Sequence, residues 1–176
     1  MKKSISTIAA AITFVFTANF AQANTIKTET TIIEVADSSQ LQSVYDAYFT
    51  VKDALIKSDA KLTSAKATDL LAAITAIKMD KLKTTEHTAW MKVVKKLTAD
   101  AKSISNTTDL KKQRETFKSL SKNTYDLIKV SKSDVAVYKQ YCPMADADWL
   151  SKEKAVKNPY YGSSMLTCGN VVETIK

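Results

Sequence analysis

Three runs near the C-terminus decide how the chain divides. They are Tyr138-Lys139-Gln140-Tyr141-Cys142-Pro143-Met144-Ala145, Asp146-Ala147-Asp148-Trp149-Leu150-Ser151 and Lys157-Asn158-Pro159-Tyr160-Tyr161-Gly162-Ser163-Ser164-Met165-Leu166-Thr167-Cys168. Both cysteines and both prolines lie here, with one glycine inside and Gly169 directly after. The 137 residues before Tyr138 contain no Gly, Pro or Cys. Such a shift in turn-forming residues separates a regular scaffold from an irregular segment.

The sulfur atoms in this segment are spaced for convergence. Pro143 holds Cys142 extended, and in an extended segment residues two apart face the same way, so Cys142 and Met144 are expected to share a side. Met165 and Cys168 are three apart, one face of a helical turn. Two thiolates and two thioethers make a soft donor set that suits Cu(I), with Ag(I) next; Zn(II) accepts the thiolates but not the thioethers. The same two cysteines in an exported chain also read as a disulfide, Cys142–Cys168. Closing the 25 intervening residues would stabilise by about 3 kcal/mol in the chain-entropy picture. Spacing leaves both readings open.

Upstream, four amphipathic helices follow from apolar steps of three and four residues. The first, capped by Ser38 or Ser39 and running to Lys57, places Leu41, Val44, Tyr48, Val51 and Leu55 on one face. The second, Lys61 to Lys78, carries Ala67, Leu70, Ile74 and Ile77, and Met79 beyond it reads as core. The third, Thr85 to Ile104, carries His87, Trp90, Val94, Leu97, Ala101 and Ile104. The fourth, Asp109 to Val130, carries Leu110, Gln113, Phe117, Leu120, Thr124 and Leu127, with Thr107 or Thr108 as its cap. Short polar loops between them predict an antiparallel up-down bundle. Val135 to Tyr141 alternates as a short strand, and Val171 to Ile175 is an apolar tail expected to dock on an extended arm at Thr31 to Val35. Trp149, Tyr160 and Tyr161 are expected to cover the sulfur segment. The fold class expected is therefore all-α: a four-helix bundle over residues 38–131, with an irregular Cys/Met segment over 132–176 that admits short strands.

His87 is the chain's one histidine. Its place on the apolar stripe reads first as a packed residue, and at a bundle end it is also a candidate extra ligand, with Met91 behind it.

The N-terminus reads as an export signal. Lys2 and Lys3 precede an apolar run from Ile8 to Phe20, too short to span a bilayer with ease, and Ala21-Gln22-Ala23 is a cleavage site. The expected mature chain starts at Asn24, has no membrane span and is periplasmic or secreted. Residues 24–37 form its extended arm. Losing Lys2 and Lys3 takes the net charge from +8 to +6. That basicity comes from lysines spread among acids at helical spacing, with Arg114 the one arginine. This is a solvated surface rather than a nucleic-acid interface. No C-x-x-C-H, P-loop or glycine fingerprint is present, and no nucleophile has an orienting motif. The expectation is not an enzyme.

The chain also resembles a family of small secreted bacterial proteins of unknown function whose domain occurs at the C-terminus of some CusB/HlyD-type heavy-metal efflux adaptor proteins. The matching residues are Tyr141-Cys142-Pro143-Met144-Ala145, Trp149-Leu150-Ser151, Asn158-Pro159-Tyr160-Tyr161-Gly162 and Met165-Leu166-Thr167-Cys168-Gly169, with Glu86-His87-Thr88-Ala89-Trp90-Met91 and Lys112-Gln113-Arg114-Glu115 upstream. Asp146-Ala147-Asp148 precedes Trp149 where that family often has glycine. The resemblance implies heavy-metal handling, copper foremost, with Cys142, Met144, Met165, Cys168 and His87 as ligands and an efflux adaptor as partner.

Overall fold

Two aspartates begin two of the helices. Asp59 Oδ1 accepts from Leu62 N at 2.9 Å, and Asp109 Oδ1 accepts from Lys111 N and Lys112 N at 3.0 and 3.2 Å. These bonds satisfy amide groups that a helix start leaves without partners. Asp109 itself is thus the cap, while Thr107 Oγ1 accepts from Asp109 N one step earlier. A computed structural model of the chain describes residues 40–131 and 135–176. The signal peptide, the arm and its docking site, and the Ser38 or Ser39 cap lie outside the described residues.

The helices are α1 (Gln42–Ile56), α2 (Ala60–Thr75), α3 (Thr84–Ser105) and α4 (Leu110–Ile128). Each packs on its sequence neighbour, and α4 returns to α1. The buried faces follow the expected rhythm. Leu41, Val44, Tyr48, Val51 and Leu55 are buried, as are Ala67, Leu70 and Ile74, then Trp90, Leu97, Ala101 and Ile104, then Gln113, Phe117, Leu120, Thr124 and Leu127. Met79 is exposed rather than core.

The face of α3 is displaced by one residue at two places. Glu86 and Val93 are buried, whereas His87 is exposed and Val94 half-buried. The buried stripe steps through Glu86, Trp90, Val93, Leu97, Ala101 and Ile104, so His87 and Val94 fall about 100° to its side, while Glu86 folds back in the first turn with its Oε2 accepting from Lys83 N at 3.2 Å.

The C-terminal segment corrects the all-α expectation. It forms a three-stranded antiparallel sheet of β1 (Val137–Cys142), β2 (Ala147–Ser151) and β3 (Asn170–Ile175), in the order β2-β1-β3. The chain is mixed α and β. β1 pairs Tyr138 with Ser151 and Cys142 with Ala147 on one side, and Val137 with Ile175 on the other. The apolar tail therefore docks on β1. In β2, the adjacent residues Trp149, Leu150 and Ser151 are all buried. Successive strand residues point to opposite faces, so both faces of β2 are covered. Such a strand shows no polar alternation, which is why the run Asp-Trp-Leu-Ser reads as loop.

β2 packs on α4 beside the α1–α4 seam. Tyr48 of α1, fully buried, accepts from Leu150 N at 3.0 Å and shares a hydrogen bond of 2.8 Å with Ser121 Oγ of α4. Burial pushes the Tyr48 hydroxyl well above the ordinary tyrosine range, so it stays neutral. Tyr160 donates to Asp148 O. The Leu150 amide and the Asp148 carbonyl of edge strand β2 are thereby closed by side chains. Aromatic contacts run alongside: Tyr48 stacks on Phe117 at 5.3 Å, and Tyr160 lies 5.9 Å from both Phe117 and Trp149. On the far side, Glu173 of β3 accepts from Tyr125 Oη at 2.6 Å and pairs with Lys129 at 2.9 Å.

Trp149 is 0% exposed and belongs to the core, rather than covering its edge. Trp149→Ala is expected to cost as much as Trp90→Ala, about 3–5 kcal/mol each. Tyr48→Phe, which leaves the Leu150 amide buried without a partner, should cost about 1–3 kcal/mol. Urea melts of the three variants measure this; a Trp149 loss well below that of Trp90 would place β2 outside the core.

Candidate thiol centre

Pro143 ends β1 because it has no amide to donate and sets a turn. Residues 143–146 form that turn, and Asp146 closes it with φ +46°. Cys142 therefore sits at the last position of β1, 0% exposed, while Met144 swings out at 63% exposure. The expected shared side for Cys142 and Met144 is overturned, since the strand stops between them. The second sulfur pair keeps its spacing. Gly162–Met165 is a short 3-10 turn, and Cys168 N donates to Met165 O at 3.0 Å. Met165 and Cys168 are both half-buried.

The two halves meet at sulfur. Cys142 Sγ and Cys168 Sγ share a hydrogen bond of 3.3 Å, and both thiols are free. That separation exceeds a disulfide bond of about 2.05 Å. His87 does not join them. The turn carrying Met144 faces Arg114 near the start of α4, whereas the start of α3 faces Asp126 and Val130 near its end. Those levels are roughly 18 Å apart along α4 at 1.5 Å per residue. Among the described residues, no group of three or more His, Cys, Asp or Glu side chains is placed to hold a metal. The sulfur donors brought together are thus the two cysteines, with Met165 one turn from Cys168.

The two thiols are unequal. Burial alone would push Cys142 up, but hydrogen bonds from Cys168, the Ala145 backbone, the Asn158 side chain and the Met144 backbone outweigh it and hold Cys142 below the usual thiol range. The backbone amides two and three residues on reach the sulfur much as they reach a helix cap, which favours thiolate. Cys168 is raised, first by its hydrogen bond to Cys142, then by burial and the Cys142 charge. The pair titrates as a unit, so its two proton-loss steps belong to both sulfurs together.

Residues that the sulfur spacing does not reveal position this pair. Asn158 is fully buried; its Nδ2 donates to Cys168 O at 2.8 Å, and its Oδ1 accepts from Tyr160 N at 2.8 Å. Its own amide donates to Leu166 O at 2.8 Å. Arg114 Nε donates to Pro159 O at 3.0 Å, and its Nη2 reaches Leu55 O and Ser58 Oγ at 3.3 and 2.9 Å. Gln140, also fully buried, donates through Nε2 to the carbonyls of Glu153 and Lys154 at 3.0 and 3.2 Å. Gly169, at φ +133°, lets the chain after Cys168 press on β1, where a Cβ would stand 2.7 Å from Tyr141 O. The one legible signal was that Asn158 and Arg114 are polar residues inside motifs shared with the resembling family. Beside the pair, a groove of about 530 Å³ is lined by Arg114, Lys118, Met144, Ala145 and Tyr161.

Asn158→Ala removes a donor to the Cys142 thiolate, so the first thiol titration step should move to higher pH. It should also destabilise by about 1–3 kcal/mol through the groups left unpaired. Thiolate ultraviolet absorbance against pH measures the first effect; an unchanged first step would show that Asn158 only braces the loop.

No curated protein and no solved structure matches this chain. A family profile described as protein of unknown function, DUF3347, matches residues 44–135, just over half of the chain. The match runs from α1 through the end of α4 and stops before β1, so both cysteines lie beyond it. Four packed helices with this profile over Val44 to Val135 place the chain in the DUF3347 family of proteins of unknown function.

Proposed function

We propose that the reduced Cys142–Cys168 pair binds one soft monovalent ion, Cu(I) foremost and Ag(I) next, and holds it or passes it to an efflux adaptor outside the cytoplasm. The observation that carries this reading is the 3.3 Å approach of two thiols with the Cys142 sulfur held toward thiolate by backbone and side-chain donors. A thiol held toward thiolate gives up its proton readily to become a soft anionic ligand for such an ion. The second thiol lies beside it and is partly open to solvent, so an ion can reach both. Met165, half-buried and one turn from Cys168, is the candidate third donor; the exposed Met144 is a weaker one. Export and the adaptor partner rest on the N-terminal sequence and the family resemblance.

The same contact favours a second reading, a Cys142–Cys168 disulfide in a structural or interaction domain. It would tie the end of β1 to the loop that leads into β3.

Titration of reduced protein with Cu(I) under anaerobic conditions, read by native mass spectrometry, separates the two. One ion per chain is expected. Cys142→Ser and Cys168→Ser should each abolish the step, Met165→Ala should weaken it more than Met144→Ala, and His87→Ala should leave it unchanged. Binding displaces thiol protons, so affinity should fall as pH falls. A titration of the reduced protein with no stoichiometric step would remove the ion-binding reading and leave the structural domain.

A further inference from the structure

The two sulfurs differ in access as well as in charge. Cys142 is 0% exposed, enclosed by its turn, by Asn158 and by the core that includes Trp149. Cys168 is half-buried and lies on the outer side of the pair. Thiol–disulfide exchange needs the attacking sulfur to reach the target disulfide in line, so access decides which sulfur meets an external reagent. Cys142 cannot meet one without opening of its turn. It is, however, in contact with Cys168 Sγ and so placed to attack that atom from within.

We propose that the pair exchanges with low-molecular-weight disulfides in a fixed order, Cys168 taking the mixed disulfide and Cys142 resolving it. This goes beyond ion binding and stands without it. In the first step the Cys168 thiol gives its proton to solvent and attacks RSSR. The Cys168–SR bond forms, the S–S bond of the reagent breaks, and one RS⁻ leaves. In the second step the Cys142 thiol gives its own proton to solvent and attacks Cys168 Sγ. The Cys142–Cys168 bond forms, the bond to SR breaks, and the second RS⁻ leaves. The protein is oxidised by two electrons and RSSR is reduced to two RSH, each thiolate taking its proton from solvent. Access sets this order, because the outer sulfur is the one a reagent reaches and the enclosed sulfur is the one in contact with it.

The test uses the full chain, reduced and then mixed anaerobically with glutathione disulfide, with aliquots quenched in acid for intact mass and peptide mapping. The wild type should become the internal disulfide, and its transient glutathione adduct should map to Cys168. Cys142→Ser should accumulate one adduct on Cys168. Cys168→Ser should react about tenfold more slowly or less, since burial withholds its remaining sulfur. An adduct on Cys142 in the quenched wild type, or a wild type that stays reduced, would overturn the proposal. The wild-type map decides the order even where a variant folds poorly. Cu(I) uptake by the same reduced stock is read separately, so protein that binds the ion but ignores the disulfide refutes exchange alone.

Discussion

The hydroxyl of Tyr48 is the constraint on which the rest of the structure depends. It sits fully inside the molecule and joins three elements at one atom: its own helix α1, Ser121 of α4 and the Leu150 amide of β2. A backbone amide buried at a sheet edge needs a partner, and here the helical part supplies it. This couples the placement of β2 to the α1–α4 seam, and through β2 the placement of β1 and its terminal cysteine. The aromatic contacts among Tyr48, Phe117, Tyr160 and Trp149 give the same joint its apolar area.

A second group of residues holds irregular backbone by donating several hydrogen bonds from one buried side chain. Gln113 bridges Ala60 O and Thr107 O at 2.9 and 2.7 Å, Gln140 holds the loop after β2, and Asn158 holds the loop before β3. Loops carry carbonyls and amides that no ladder satisfies, so a segment of this kind can be buried only with such side chains at its centre. Arg114 does the same at the surface between the α1–α2 turn and Pro159. The result is a thiol pair positioned by rigid supports, although its two cysteines come from a strand end and a loop.

That positioning explains why two identical thiols behave differently. The Met144 and Ala145 amides of the turn both lower Cys142, while Cys168 is raised first by its hydrogen bond to Cys142 and is lowered by the Met144 amide alone. Soft-ion binding draws on the inner sulfur held toward thiolate, and disulfide exchange on the reach of the outer one.

By itself the amino-acid sequence determined the four helices and most of their buried faces, because a stripe at steps of three and four leaves one solution for an amphipathic helix of this length. It also set the C-terminal segment apart from the helices, offered a short strand over 135–141 where β1 forms, and brought Met165 and Cys168 onto one turn. It misread His87, because the buried stripe of α3 begins at Glu86, a charged residue that an apolar periodicity does not count. It placed Cys142 and Met144 together, because a proline that fixes an extended residue can equally begin a turn. The sheet, the core position of Trp149 and the meeting of Cys142 with Cys168 were decided only by tertiary structure. β2 has both faces covered and so carries no alternation, and its pairing with β1 depends on partners more than a hundred residues away, such as Tyr48. Contacts of that kind join residues whose local sequences bear no trace of one another.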